Sequence, residues 1–306
     1  MADFTANLRK AELHLHLEGA IAPETLWELD PTTPLEEIRA LYRYSDFAGF
    51  LRSFGAVVKR LRTPADYALA TRRLLESLAA QNVAYAEITL AAGVVLWKEQ
   101  HFAAIYDAVR EAAAGSPVEV AWILDAVRQF GPEHVMQVAE LAAERVDHGV
   151  VAFGIGGNEE HGPAEWFSEA FAFARDAGLR LVAHAGEAAG PESVWAALEL
   201  GAERIGHGVA SIHDAALCAH LREHDIPLEI CITSNLVTGV VRSLGEHPVR
   251  RLYDAGVPIV LNSDDPAMFA CTLTGEYRLA ASAFGFTERE LEGLAANAFR
   301  YSFRRR

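Results

Sequence analysis

The sequence predicts an α/β protein that closes as a (β/α)8 TIM-type barrel, with a lid-helix region after strand 1. Three observations carry this: eight short β-rich runs, helical stretches between them, and polar residues gathered where several runs end. The runs are 11–16, 83–90, 118–125, 149–155, 179–184, 203–207, 226–232 and 257–262. Between them lie Ala/Leu/Glu/Arg-rich stretches of helical period at 65–80, 100–114, 132–147, 164–177, 191–200, 214–224 and 246–255. Thr63-Pro64, Gly131-Pro132, Gly162-Pro163 and Gly190-Pro191 are start signals for helices, and Gly178 and Gly256 end two of them. Strand one runs into His-Leu-His-Leu-Glu-Gly, not the glycine-rich phosphate loop that an open doubly wound sheet usually carries there. Segment 20–62 is a helical excursion with Phe47, Phe50, Leu51 and Phe54. It reads either as an ordinary amphipathic helix or as a lid over the barrel mouth.

With 306 residues and 51% hydrophobic content, one large core is attainable, and no linker or composition break divides 1–306 into domains. A net charge of −15 argues against nucleic acid or an anionic membrane as partner. It leaves a small-molecule substrate open. Cys218, Cys231 and Cys271 are odd in number and widely spaced, so a disulfide framework is not expected and a reducing, cytoplasmic setting is. The first ten residues lack the apolar core of a signal peptide, and no apolar run is long enough to span a membrane. The closing 304–306 arginines read as a solvated tail.

In barrels of this kind chemistry sits at the C-terminal ends of the strands. His14 and His16 end strand one, 156–159 follows strand four, His184 ends strand five, His207 ends strand six, and Asp264-Asp265 follows strand eight. His14-Leu15-His16 has period two, which turns both imidazoles to one side. An isolated His-x-His is a weak signal. With His184 and Asp264 at other strand ends it becomes a four-ligand site suited to zinc, one ion per chain. Gly186 lets the chain turn so that Glu187 returns to the pocket, where a buried carboxyl can donate a proton. His207, flanked by glycines, could orient a water or take its proton. Of the adjacent Asp264 and Asp265, neighbours on an extended segment diverge, so one can bind metal while the other meets substrate. The remaining histidines, His101, His134, His148, His161, His213, His220, His224 and His247, read mostly as surface residues.

Taken together, 11–20 (AELHLHLEGA), 184–187 (HAGE), 204–208 (RIGHG), the TSN run with Thr238-Gly239, and 261–266 (LNSDDP) resemble the adenosine deaminase family of the amidohydrolase superfamily. The motifs span nearly the whole chain in family order. The resemblance implies zinc on His14, His16, His184 and Asp264. It implies that Glu187 protonates purine N1, that His207 orients and deprotonates the zinc-bound water, and that Asp265 bonds N7. His16, Gly157 (whose backbone N–H meets N3), Phe50, Leu51 and Phe54 would contact substrate, and Glu18 would face the 5′ side of the sugar. The implied reaction replaces the adenine amino group of a purine nucleoside, adenosine or deoxyadenosine, by oxygen and releases ammonia.

Two departures fall at the sugar end. Glu18 stands where adenosine deaminases usually have Asp, and Thr89-Leu90-Ala91-Ala92 replaces an Arg-Tyr-Ser-Pro-like run. Aminodeoxyfutalosine and adenine deaminases, which also carry Glu at this place, are therefore the alternatives. A catalytically silent purine-binding protein predicts a lost ligand or a lost Glu187, and neither is lost.

Overall fold

The computed structural model describes residues 4–304. Eight strands follow one another around a single parallel sheet: β1 (Lys10–His16), β2 (Val83–Leu90), β3 (Glu119–Val127), β4 (Val150–Gly156), β5 (Arg180–Ala185), β6 (Arg204–His207), β7 (Leu228–Ile230) and β8 (Ile259–Leu261). The order is sequential, so every connection is a crossover carrying helix on the outside, which is the (β/α)8 arrangement expected. Most strand residues are buried on both faces, because one side meets the lumen and the other the helical shell.

Closure happens at the chemistry-bearing end. The His16 N–H donates to the Asp264 carbonyl at 2.9 Å, and the Asp264 N–H donates to the His14 carbonyl at 3.1 Å. Below them the Asn262 side-chain oxygen accepts from the Leu13 and His14 N–H groups, at 2.8 and 3.1 Å. The opposite end is filled by Leu13, Tyr85, Ile123, Val182, Val260 and Phe303, the last delivered by the tail after the Glu288–Arg300 helix.

The start signals work as their chemistry requires. Thr63 and Asp66 form a reciprocal capping box, and Pro64, Pro132 and Pro191 occupy first helical turns. Gly162-Pro163 instead opens a 3-10 turn, Ala164–Phe167, before the Ser168–Asp176 helix. The apolar run 226–232 yields only three strand residues, because Ile232–Val237 is already helix. Such a run cannot distinguish a short barrel strand from the first turn that follows it. The 20–62 excursion resolves into three helices, Pro23–Leu29, Leu35–Ala40 and Phe47–Val58. Arg304 is not a free tail residue, since it pairs with Glu119, while 305–306 lie outside the described residues. Among the described residues no helix is long and apolar enough to cross a membrane.

Candidate metal centre and active site

His14, His16, His184 and Asp264 converge at the barrel seam, each offering one donor atom within 4.8 Å of the others. The His16 and His184 Nε2 atoms are 3.3 Å apart, and Asp264 Oδ1 stands 3.4 Å from Nε2 of both His14 and His16. Four donors held about 2.1 Å from a shared centre at tetrahedral angles lie about 3.4 Å apart. The spacing therefore suits a small transition-metal ion. The outer nitrogens agree. His14 Nδ1 is 2.7 Å from Glu229 and His184 Nδ1 is 3.1 Å from the Ile155 carbonyl, which leaves Nε2 of each ring for the ion. The buried His14 Nε2 has no hydrogen-bond partner. Behind it Glu229 accepts from Arg204 at 2.5 Å, and Arg204 also donates to Glu87 at 2.6 Å, all inside the barrel.

Glu187 enters the same space. The turn carrying it is tied by Glu159, which accepts from the N–H groups of Gly186, Glu187 and Ala188 at 2.8–2.9 Å and from the Ser193 hydroxyl at 2.5 Å. Gly186 has φ +64°, and a Cβ there would sit 2.6 Å from Val194, so glycine is required. Burial, reinforced by the charge of Asp264, pushes the Glu187 carboxyl well above the usual carboxylate range. Its Oε2 lies 3.6 Å from His207 Nε2.

A hydrogen-bond chain sets the His207 tautomer. The Val249 N–H donates to His247 Nδ1 at 3.2 Å, so the neutral ring carries its proton on Nε2 and gives it to the Asn235 oxygen, also 3.2 Å away. The Asn235 amide then donates to His207 Nδ1, again at 3.2 Å. Neutral His207 must hold its proton on Nε2, facing the site. Burial lowers its pKa to about 4 and keeps the ring neutral. His247, one of the histidines expected at the surface, is buried because it carries this chain.

The Asp264-Asp265 pair does not lie on extended backbone, since Asp264 has φ +64°, and the two side chains stay close enough to interact. Ser234 donates to the second Asp264 oxygen at 2.7 Å. Asp265 turns towards Gly19, where a Cβ would lie 1.6 Å from its Oδ1, and that oxygen is buried without a partner. Burial, then the Asp264 charge, raises the Asp265 carboxyl well above its ordinary range.

These groups floor a cavity of about 290 Å³. Phe47, Phe50, Leu51 and Phe54 close one side of it, so the Phe47–Val58 helix caps the mouth. Phe50 packs on Phe269, with ring centres 5.0 Å apart. His16, Gly157, His184, Glu187, His207, Asp264 and Asp265 all line the cavity. Glu18 does not. Its 3-10 turn carries the carboxyl behind the wall, where it accepts from the Ala91 N–H at 3.1 Å and burial raises its pKa to about 7. Glu18 thus supports Ala91, which itself lines the cavity.

Sequence reasoning missed Glu229, Arg204, Asn235 and His247, and it also missed Arg128, which donates to the His184 and Gly162 carbonyls. Their roles come from contacts between distant strands. Carboxylates set in apolar strand runs, Glu229 in 226–232 and likewise Glu87 and Asp125, were the visible signal.

A His/Asp metal cluster at the C-terminal mouth of a (β/α)8 barrel, with a buried acid and a neutral histidine beside it, defines the amidohydrolase class of C–N hydrolases. Residues 9–306 match the family model described as adenosine deaminase. The chain is 42% identical to the aminodeoxyfutalosine deaminase of Streptomyces avermitilis, over 98% of this chain and 88% of that one. It is 39% identical to an adenine deaminase of Agrobacterium fabrum, over 98% and 95%. A solved amidohydrolase from Burkholderia ambifaria with bound zinc superposes with a TM-score of 0.92 at 27% identity, covering 99% of this chain and 87% of that one. The chain belongs to the adenosine deaminase family, whose members here are deaminases acting on C–N bonds of small purine substrates.

Proposed function

We propose that the chain, as one catalytic unit over 1–306, hydrolytically deaminates the adenine ring of a 5′-extended adenine nucleoside. Aminodeoxyfutalosine, named by the 42% identical relative, is the first candidate. The observation that carries the choice is the cavity's far wall. Beyond the polar floor it continues into Val94, Trp97, Val127 and Phe130 and under the lid phenylalanines, an apolar reach that a bare purine leaves empty. This displaces the simpler expectation of adenosine or deoxyadenosine, whose 5′ side ends in a hydroxyl. Free adenine is the second reading, supported by the 39% identical relative.

Zinc held by His14, His16, His184 and Asp264 would supply a Lewis acid that activates water near neutral pH. The protein's own groups supply the rest. Glu187, kept protonated by burial, gives its proton to ring N1, which draws electron density from C6. His207 offers its Nε2 proton beside Glu187, so it orients the attacking oxygen as a donor rather than taking its proton as expected. The Glu187 carboxylate left after N1 is protonated, 3.6 Å from His207, is the base that takes the water's proton and passes it to the departing amine as ammonia leaves. Asp265, also protonated, donates to the N7 lone pair, and the Gly157 N–H meets N3. The lid excludes bulk water from these contacts.

The test is ammonia release by zinc-loaded protein from aminodeoxyfutalosine, adenosine, 2′-deoxyadenosine and adenine. The extended nucleoside should have the highest kcat/KM. Preference for adenine establishes the second reading, and turnover of none refutes both. In Glu187→Gln zinc content should be unchanged while kcat falls about 100-fold or more. Loss of the metal in that variant rejects the proton-donor role.

A further inference from the structure

Two histidines outside the active site stand one helical turn apart and touch. His220 lies in the Ala215–Glu223 helix and His224 is the residue just past its end. The His224 N–H still donates to the His220 carbonyl at 2.9 Å, so helical spacing extends to it. The two rings are stacked, 25° from parallel, with centres 4.0 Å apart. Residues at i and i+4 share a helix face, and a histidine pair at that spacing can chelate a transition-metal ion. His224 is exposed, while His220 is half-buried against Trp195, whose ring centre is 5.0 Å away.

The hydrogen bonding leaves ring nitrogens of both residues free for an ion. His224 Nδ1 is 3.0 Å from the His220 carbonyl oxygen, which can only accept. Nδ1 therefore carries the proton, and the neutral ring keeps its lone pair on Nε2. The His220 ring has no hydrogen-bond partner among the described residues. An ion about 2.1 Å from each of two imidazole nitrogens joins atoms up to about 4.2 Å apart. Rings with centres 4.0 Å apart can bring one nitrogen of each within that span.

The pair is far from the catalytic mouth. β6 ends at that mouth with His207, and β7 starts at the opposite end with Leu228, so the helix joining them returns the chain from one end to the other. His224 comes just before β7, and its neighbour Asp225 accepts from the Tyr301 hydroxyl, close in sequence to Phe303 of the closed end. We propose that His220 and His224 form a second, peripheral site for one divalent transition-metal ion of the zinc, nickel or copper kind. Imidazole ligands select such ions over magnesium and calcium, which take oxygen. No third His, Cys, Asp or Glu donor joins the pair among the described residues, so water fills the remaining positions and binding is weaker than at the four-ligand centre. The net charge of −15 favours the approach of a cation. With metal in excess, the protein then carries more than one ion per chain.

The experiment titrates Ni2+ into untagged, zinc-loaded protein by calorimetry, for wild type, His220→Ala, His224→Ala and, as a control on another exposed histidine, His213→Ala. Thermal midpoint and ammonia release are measured for each protein. Wild type should bind one Ni2+ saturably. Either substitution in the pair should raise the Ni2+ Kd about 10-fold or more, because each removes one arm of a chelate. His213→Ala should bind as wild type does, and ammonia release should be unchanged throughout. His224 is exposed, so His224→Ala reads the site even where His220→Ala loses its packing on Trp195. Absence of Ni2+ binding to wild type, an unchanged Kd in His224→Ala, or an equal loss in His213→Ala overturns the assignment.

Discussion

Replacing Glu229 by Gln tests whether the metal site is built from beneath. The carboxylate bridges His14 and Arg204, with one oxygen 2.7 Å from His14 Nδ1 and the other 2.5 Å from Arg204 Nε. Although burial pushes its pKa up, the adjacent Arg204 and the His14 hydrogen bond hold Glu229 below the usual carboxylate range. Glutamine has one acceptor where two are used. If its oxygen serves Arg204, its amide faces His14 Nδ1 and drives the ring proton to Nε2, the atom needed by the ion. If its oxygen serves His14, its amide meets the buried guanidinium. Losing such a partner costs about 10- to 100-fold in metal affinity, or about 1.4–2.8 kcal/mol. Arg204 keeps Glu87 as its other buried carboxylate, so weakening its bond to residue 229 costs a further amount of about 1.5–3 kcal/mol in fold stability. The two costs separate experimentally. Zinc Kd is measured by chelator competition at a temperature where both apo-proteins are folded, and apo stability by denaturant titration. A folded variant with a zinc Kd within about threefold of wild type would falsify the idea that Glu229 orients His14.

Three further substitutions probe other parts of the molecule. Gly19→Ala places a methyl group into the Asp265 carboxylate; kcat/KM should fall about 100-fold at unchanged zinc content, and an unperturbed rate contradicts a substrate contact for Asp265. Phe50→Ala empties the centre of the lid cluster, so KM should rise more than kcat falls and stability should drop by about 3 kcal/mol, read by substrate titration and denaturant unfolding. Burial raises the Glu276 pKa to about 7 from 4.5, so its stabilising contribution is complete below about pH 4.5 and is lost as pH climbs through 7. At most about 3 kcal/mol is involved. Glu276→Gln should therefore flatten the decline of stability between about pH 5 and pH 8, and an unaltered slope assigns that decline to other groups.

The barrel and its four metal-ligand candidates were legible because each signal is local. Period two turns His14 and His16 the same way, and the strand-end rule selects His184 and Asp264 without knowledge of contacts. Glu187 was legible through the glycine before it. Residues that act through another strand were not. Nothing local marks Glu229 as the partner of a histidine on β1, or His247 as the far end of a chain leading to His207. The place of Glu18 was hidden for the opposite reason: it follows His16 closely in sequence, yet a 3-10 turn brings its carboxyl to the Ala91 N–H. The end of β7 was blurred because barrel strands are buried on both faces and lose the alternation that marks half-buried ones.

The seam between the first and last strands has a bearing on assembly. Leu13 and Asn262, bonded across it, are separated by 249 positions in the chain. Bringing ends so distant together costs about 5 kcal/mol of chain entropy. His14 and His16 lie on one side of this junction and Asp264 on the other, so an ion bound by all three acts as a clasp between the two ends of the polypeptide. Such an ion would add to the backbone and Asn262 hydrogen bonds that already hold this join, and would make the ring of strands resist opening further.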